Sequence, residues 1–196
     1  MKYLSAFLVL SLLLLTGCTK ESKGDAIIKK VELTKFEEGL VNLTTDHSFI
    51  FDLEINNDEI TEMIGTVDYY ENGKLVRQVC KMSSGIQQEN IDDTIRVAFI
   101  QQPVNENEDK WLISTMTDDG QTSGSFKNNI DGKERMKFGS TSEGVIEGPL
   151  IIGESKVIGA ISYFVNGSST FSIKTKEDIK RATDYEQVYL LSVELK

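Results

Sequence analysis

Alternating apolar and polar side chains constrain the fold of this chain more than any other feature. In Phe49-Ile-Phe-Asp-Leu-Glu-Ile55, every second residue from Phe49 to Ile55 is apolar, and Asp52 and Glu54 fall between them. Because neighbouring side chains of a strand point to opposite faces, this stretch predicts a strand of an antiparallel sheet. One face of the strand would lie in the core and the other in water.

A second clear pattern is the hairpin predicted at 63–82, which turns at Asn72-Gly73. Both central residues of a type I′ turn take positive φ, which Asn and Gly tolerate best, and alternating runs flank the pair. On the second strand, Val76, Cys80 and Met82 share a parity. We therefore expect Cys80 to be a buried, small hydrophobic side chain.

Further strands are predicted at 27–36, 94–101, 110–116, 145–152, 156–165 and 187–195, with shorter pieces near 122–127, 135–139 and 170–174. One short helix is predicted at 176–184, before the last strand, because Thr175-Lys-Glu-Asp178 fits a capping box. A further short helix near 58–62 is an alternative.

About ten short strands with frequent turns predict a single all-β domain, an antiparallel β-sandwich. A lipocalin-like closed barrel with an inner cavity is the alternative, because both architectures produce the same alternation.

The N-terminal residues have the layout of an export leader. One charge, Lys2, precedes an apolar run over residues 3–15, and the small residues Thr16 and Gly17 follow. The apolar run is shorter than the roughly 18–20 residues that a membrane-spanning helix needs. We therefore predict a signal peptide over residues 1–17.

The end of this leader, Leu15-Thr16-Gly17-Cys18, resembles the lipobox of bacterial prolipoproteins. In that motif a branched apolar residue, a small residue and Gly or Ala precede an obligatory Cys. The resemblance implies cleavage between Gly17 and Cys18 and a diacylglyceryl group on the Cys18 sulfur. Acyl chains such as palmitate would then anchor the new N-terminus, because two chains hold a protein on a membrane firmly.

The predicted leader divides the chain into three parts. Residues 1–17 would be removed, residues 18–25 would form the lipidated cysteine and a short polar tether, and residues 26–196 would form one extracytoplasmic domain. The resemblance implies a location on the outer face of the cell membrane. The alternative is the outer membrane of a double-membrane bacterium.

Charge and cysteine content limit the partners further. The chain has 21 basic and 31 acidic residues, a net charge of −10. An acidic chain without a basic stripe is not expected to bind nucleic acid. Once Cys18 is acylated, Cys80 is the one remaining cysteine, so no disulfide within the chain is expected.

The sequence contains no recognisable catalytic or cofactor-binding motif. His47 is the single histidine, and its polar surroundings predict an exposed turn. The Gly-rich stretch 139–144 lacks the Lys and the helix of a phosphate-binding loop. Trp111 alternates with Ile113, which predicts a core position rather than an exposed platform for sugar. We therefore predict no cofactor.

Acidic clusters are the remaining candidates for a metal site or for carboxylate chemistry: Asp92-Asp93, Glu106 with Glu108 and Asp109, and Asp118-Asp119. Calcium loops combine alternating oxygen ligands with a Gly at the turn. The cluster at Glu106 has the alternation without the Gly, and Asp118-Asp119 has the Gly without the alternation. Each cluster therefore matches half of a calcium loop.

Together these features predict a membrane-anchored surface lipoprotein whose domain is a non-enzymatic binding or interaction module. Its partner would be another envelope protein, a peptide or a small ligand. The alternatives are a carboxylate-based hydrolase and a lipocalin-like carrier of a small apolar ligand.

Overall fold

The computed structural model describes residues 24–86, 94–130, 139–164 and 172–196. The strands in these residues are β1 (Ala26–Lys30), β2 (His47–Ile55), β3 (Glu62–Glu71), β4 (Lys74–Gly85), β5 (Thr94–Asn105), β6 (Glu108–Thr117), β7 (Gly120–Asn129), β8 (Gly139–Glu143), β9 (Gly148–Leu150), β10 (Ser155–Phe164) and β11 (Gln187–Leu195). Two helices accompany them, α1 (Lys35–Thr44) after β1 and α2 (Lys176–Thr183) before β11.

The strands form two sheets that pack face to face. The six-stranded sheet has the order β7-β6-β5-β2-β1-β9, and the five-stranded sheet has the order β4-β3-β11-β10-β8. Neighbouring strands are antiparallel throughout, as in β2 and β5, where Phe51 lies opposite Val97. Among the described residues neither sheet closes on itself. The prediction of an all-β sandwich is therefore confirmed, and the closed barrel is wrong.

The predicted inward faces of the strands meet between the sheets and form the main core. The largest fully buried side chains of this core include Phe51, Leu53, Phe99, Trp111, Ile113, Ile158 and Ile161. Phe51 and Phe99 stack with their ring centres 6.4 Å apart. Burying each such side chain contributes about 1.5–3 kcal/mol, so this alternation is the main source of stability.

The β3–β4 hairpin confirms one prediction and corrects another. Asn72 and Gly73 have φ values of 46° and 82°, as a type I′ turn requires. Cys80 is buried as predicted, but Val76 is 48% exposed. Two bulges cause the difference. Val67 pairs with Cys80 and the next residue, Asp68, pairs with Gln78, whereas Tyr69 pairs with Arg77 and Tyr70 with Leu75. Val76 is the extra residue of the second bulge, between Arg77 and Leu75, and it lies outside the core face.

The helix predicted before the last strand is confirmed as α2. Thr175 is its N-cap, and the side chains of Thr175 and Asp178 each accept a hydrogen bond from the other's backbone N–H. The helix packs on the outer face of the five-stranded sheet, where Ala182 meets Val188 and Leu190.

The first helix, α1, was not predicted. The strand expected at 27–36 ends at Lys30, and the chain enters α1 at Lys35. Thr34 caps this helix with a second capping box: the Glu37 N–H donates to Thr34 Oγ1 at 3.3 Å, and the Thr34 N–H donates to Glu37 Oε2 at 2.8 Å. The all-β domain therefore carries two short helices.

Smaller differences concern segment lengths. The strand predicted at 145–152 is reduced to the three residues of β9. A turn at 58–59 replaces the alternative helix near 58–62, and residues 172–174 form no strand. Two of the predicted short strands fall partly outside the described residues, at 135–138 and 170–171. No helix in the described ranges is long and apolar enough to cross a membrane.

Candidate functional site

The structure does not gather the acidic residues that the sequence offered as metal or catalytic candidates. Glu108 and Asp109 begin β6 and Glu106 lies in the turn just before it, whereas Asp118 and Asp119 lie in the turn after the end of β6. A strand of this length separates the two groups by about 30 Å. They therefore cannot act on one ligand.

Neighbouring acids of the first group also diverge. Glu108 and Asp109 face opposite sides of the sheet: Lys127 Nζ lies 3.2 Å from Glu108 Oε1, and Asp109 is fully buried. In the parts of the chain that the structure describes, no three His, Cys, Asp or Glu residues could hold a metal ion together. Gly17 and Cys18 and the pair Asp92-Asp93 lie outside the described residues.

Asp109 belongs to a buried polar network between the two sheets. Gln101 Nε2 donates to Asp109 Oδ2 at 2.5 Å, and the Tyr163 hydroxyl donates to Gln101 Oε1 at 3.1 Å. Asn128 Nδ2 donates to the Tyr189 hydroxyl at 3.2 Å. Gln101 and Asn128 lie on the six-stranded sheet and both tyrosines on the five-stranded sheet. We call these five residues the cross-sheet network because their hydrogen bonds join the sheets.

Arg77 closes this network at one edge of the sandwich. Its Nη2 donates to Asn128 Oδ1 at 2.7 Å and to the Asn129 carbonyl at 3.0 Å. Its guanidinium carbon lies 4.6 Å from the ring centre of Tyr69, a cation–π contact. These contacts join β4 to β7, the edge strands of the two sheets on this side.

Tyr189 lies at the centre of the aromatic packing around the network. Its ring centre is 4.9 Å from that of Tyr69, 5.5 Å from that of Trp111 and 6.0 Å from that of Tyr163. Burial raises the pKa of the Tyr189 hydroxyl, and the negative charge of Asp109 raises that pKa further. The hydroxyl therefore stays protonated and cannot serve as a base near neutral pH.

The space enclosed next to Gln101, Asp109, Tyr163 and Tyr189 is too small for a substrate. A cavity of about 10 Å³ lies against Gln101, Asp109, Tyr163 and Tyr189, which is about the volume that one water molecule requires. The cross-sheet network is therefore a structural device that holds the two sheets in register.

Cys80 and His47 do not form a nucleophilic pair. Cys80 is 3% exposed, and burial raises the pKa of its thiol to about 12, so almost none of it is thiolate near neutral pH. His47 begins β2 and is half-buried, with its ring edge-on to Tyr163 at 6.2 Å. The expected exposed turn at His47 was therefore wrong.

Asp119 lines a cleft at the end of the sandwich where β6 turns into β7. The cleft has a volume of about 290 Å³, and its walls include Ser84, Thr115 and Gln121. The hydroxyl oxygens of Ser84 and Thr115 lie 2.8 Å apart. Among the described residues one carboxyl lines this cleft, whereas glycoside hydrolysis through carboxylates uses two.

A second cavity, which we call the α2 pocket, lies between the β9–β10 region and α2. Its volume is about 310 Å³, and Leu150, Val157, Ile173 and Ile179 supply apolar surface. This volume and this lining are typical of sites for small apolar ligands.

Three lysines and one acid also line the α2 pocket: Lys156, Lys174, Lys176 and Glu154. Lys156 is half-buried, and its Nζ donates to the carbonyl oxygens of Glu147 at 3.4 Å and of Pro149 at 3.2 Å. Burial lowers the pKa of Lys156. The charged residues of the lining therefore carry a net positive charge, whereas the protein as a whole is acidic.

Gly148 makes room for the Lys156 ammonium. Its φ is 123°, and a Cβ at this position would lie 3.2 Å from Lys156 Nζ. A side chain here would therefore be strained and would also crowd the ammonium.

The outward surface of α1 is the main apolar feature on the exterior. Phe36, Leu40 and Leu43 recur at helical spacing and are 75%, 48% and 83% exposed, and no residue of α1 is buried. We call these three residues the α1 stripe.

The parity of two polar residues in the sequence is a signal for the cross-sheet network, although no prediction was made from it. Gln101 continues the inward parity of Val97 and Phe99, and Asp109 shares the parity of Trp111 and Ile113. A polar residue at a core position requires a buried partner. The parity marks such residues, but the identity of their partners depends on the topology.

Comparison with known proteins assigns the fold to a family. Residues 27–195 match the YgaN domain family. The match begins beyond the predicted leader and tether and includes the described strands from β2 to β11. No curated protein and no solved structure shows significant similarity to the chain. Because the family match covers most of its length, this protein belongs to the YgaN domain family.

Proposed function

We propose that this protein is a lipoprotein on the outer face of the cell membrane, anchored through a diacylglyceryl group on Cys18, and that its domain is a non-enzymatic binding module. The observation that carries the proposal is Leu15-Thr16-Gly17-Cys18 directly after an apolar run of export length. The anchor would hold the domain at the membrane without a spanning helix.

The position of the sandwich supports this arrangement. The described chain starts at Gly24, and β1 starts at Ala26. The six residues from Cys18 to Gly24 reach about 20 Å when fully extended. The family match likewise starts at residue 27, so the proposed anchor at Cys18 precedes the matched domain.

The anchor is tested by replacing each cysteine separately in the full chain. Cells that express the wild-type chain, Cys18→Ser or Cys80→Ser are grown with radiolabelled palmitate, and membrane and soluble fractions are compared. We expect label and membrane retention for the wild type and for Cys80→Ser. Cys18→Ser should carry no label and remain uncleaved. A cleaved, membrane-held Cys18→Ser protein would contradict the proposed anchor.

Location on the cell is tested with the same strains. In a single-membrane host, protease added to intact cells should digest the wild-type domain, because the anchor places it outside. In a double-membrane host, recovery with the outer-membrane fraction would favour the alternative location. A domain protected in intact single-membrane cells would contradict surface exposure.

The α2 pocket supports binding of a small anionic amphiphile as the ligand. Its apolar lining fits a hydrocarbon body, and the excess of lysines at Lys156, Lys174 and Lys176 fits a carboxylate or phosphate group. A dansyl-labelled medium-chain fatty acid is a suitable probe, because its emission increases and shifts to the blue in an apolar site.

Two lysine variants provide the comparison for this probe. Lys156→Gln should weaken binding by about tenfold, because a charge-assisted contact is lost. Lys180→Gln removes a lysine of α2 that does not line the α2 pocket and should leave binding unchanged. Equal affinities for both variants, or no emission change with the wild-type protein, would contradict a ligand role for the α2 pocket.

The absence of enzymatic activity is tested with a panel of ester and glycoside substrates. We expect no turnover above the uncatalysed rate, since the acids of the described residues do not converge on one cleft. Turnover that disappears in Asp119→Asn would instead support the carboxylate-based hydrolase.

A further inference from the structure

The α1 stripe is an apolar surface without an intramolecular partner among the described residues. Phe36, Leu40 and Leu43 lie on one face of α1, since residues three, four and seven positions apart share a helix face. Their exposures of 75%, 48% and 83% exclude substantial packing against the sandwich. Isolated helices shorter than about 12–15 residues are marginal in water, so a surface that covered the stripe would stabilise this ten-residue helix.

The acidic residues of α1 point away from the stripe. Glu37 accepts hydrogen bonds from the Thr34 N–H at 2.8 Å and the Thr34 hydroxyl at 2.7 Å. These bonds lower the pKa of Glu37 and hold its carboxylate over the Thr34 cap at the start of α1. Glu38 lines a groove with Ser48 of β2. Helix geometry then leaves Gly39 and Thr44 beside the stripe, so the outward face carries no charge.

The predicted anchor places this face close to lipid. From Cys18 to Gly24 the chain spans about 20 Å at most. The five residues of β1 add about 17 Å, and α1 follows after Thr34. A domain that lies with the outer face of its six-stranded sheet toward the bilayer brings both the tether and α1 to the lipid surface.

We propose that the α1 stripe inserts into the bilayer that holds the Cys18 anchor and fixes the orientation of the domain on the membrane. This inference rests on the proposed function, because the anchor keeps α1 beside the bilayer. An amphipathic helix with its apolar face in the boundary between headgroups and acyl chains is a known mode of membrane association.

A lipid surface fits the α1 stripe better than a second copy of the chain. A standard protein interface buries about 800 Å² on each partner, and three side chains on a short helix supply far less. A bilayer requires no matching shape, and an uncharged face enters hydrocarbon without the cost of burying a charge. Insertion of the stripe also needs no basic residues once the acyl chains hold the protein in place.

The test uses tryptophan as a depth reporter in the anchored full-length protein. Trp111 is the single native tryptophan and is buried in the core, so it provides a constant background. Phe36→Trp places a second tryptophan in the α1 stripe. Leu75→Trp is the matched control, because Leu75 is a 56% exposed apolar residue on the β4 hairpin of the other sheet. Each protein is placed in vesicles of phosphatidylcholine and phosphatidylglycerol with brominated acyl chains, which quench tryptophan on contact.

We expect brominated lipid to lower the added emission of Phe36→Trp by at least about twofold and that of Leu75→Trp hardly at all, because only the stripe enters the acyl region. Leu43→Trp, one turn further along α1, should be quenched like Phe36→Trp and serves if the first variant misfolds. Equal quenching of the α1 reporters and Leu75→Trp would overturn the inference.

Two further results separate the alternatives. Palmitate labelling is measured on the same preparations. If the protein is labelled but the α1 reporter is not quenched, this inference alone is overturned. If the protein is not labelled, the proposed function on which the inference rests is overturned. A blue-shifted but unquenched Phe36→Trp emission together with a dimer in sedimentation would identify a second copy as the occupant and overturn insertion.

Discussion

Replacing Gln101 by leucine tests whether the cross-sheet network holds the sandwich together. Gln101 is 1% exposed and binds two buried groups across the interface: its amide donates to Asp109 and accepts from the Tyr163 hydroxyl. Leucine has nearly the same size but offers no polar atom. Gln101→Leu therefore removes both hydrogen bonds and leaves the volume of the core almost unchanged.

The expected loss follows from the type of each bond. A hydrogen bond to a charged group contributes about 1.5–3 kcal/mol, and one between neutral groups about 0.5–1.5 kcal/mol. Removing both therefore lowers the free energy of unfolding by about 2–4 kcal/mol. With a urea dependence of about 2 kcal/mol per molar, the middle of the usual range for small proteins, the unfolding midpoint falls by about 1–2 M.

The assay is urea unfolding of residues 19–196, which include every described strand and helix, followed by the fluorescence of Trp111. Gln102→Leu is the matched control, since Gln102 is the next residue of β5, faces outward and is half-exposed. A surface change of this kind stays within about 0.5 kcal/mol of the wild type. Tyr163→Phe in a double-mutant cycle with Gln101→Leu should give a coupling energy above about 0.5 kcal/mol. Equal midpoints for Gln101→Leu and Gln102→Leu would refute a stabilising role for the network.

Further perturbations separate packing, capping and titration. Gly159→Ala places a Cβ 2.6 Å from Phe49 Cδ1 and should lower the free energy of unfolding in urea by about 1–3 kcal/mol. In Gly39→Ala the new Cβ meets no atom within 4 Å, so this change should instead stabilise α1 by about 0.5–1 kcal/mol. Thr34→Ala removes the α1 cap and should reduce helical circular dichroism, at a cost of about 1 kcal/mol. Cys80 has a pKa raised from 9.0 to about 12, so the folded state holds a proton that the unfolded chain releases. The free energy of unfolding should therefore fall as pH rises from 9 to 12, and less steeply in Cys80→Ala.

The sandwich was predictable because its strands carry unbroken alternation. The inward set of β11 is Tyr189, Leu191, Val193 and Leu195, and all four are buried as their parity required. A slip of one residue would exchange this set for Val188, Leu190, Ser192 and Glu194 and would bring the last two into the core, so the register follows from the pattern. The Asn72-Gly73 turn was predictable for a local reason, since few other residue pairs accept two positive φ values.

The bulges in β4 and the length of β1 were not predictable in the same way. The bulges at Val67–Asp68 and Tyr69–Tyr70 depend on how β3 and β4 pair, which parity along one strand does not record. Val31 and Leu33 extend an apolar alternation past Lys30, the last paired residue of β1, but on the parity of Ile27 rather than that of the buried Ala26 and Ile28. β1 leaves the sheet opposite Phe51, although its partner β2 extends back to His47. Parity along one segment does not record where pairing stops.

The candidate sites were less predictable than the fold. Gln101 and Tyr163 are 62 positions apart in the sequence, and only the packing of β5 against β10 brings them together. The α2 pocket likewise combines Lys156 of β10 with Ile179 of α2. Each of these residues alone fits an ordinary strand or helix. The network and the pocket exist only because the fold brings such residues together.

The two helices show why a start signal does not determine what a helix packs against. Thr34 and Glu37 form the same capping box as Thr175 and Asp178. Yet α2 buries Ala182 on the five-stranded sheet, whereas α1 buries no residue. A cap satisfies the first backbone N–H groups and thus favours a helix at that position. Burial depends on whether an apolar surface faces the helix, and the outer face of the six-stranded sheet near α1 presents the charged pair Asp52 and Arg96. The apolar side of α1 therefore turns outward, where, as we propose, the bilayer that carries the anchor supplies the surface that the sheet does not.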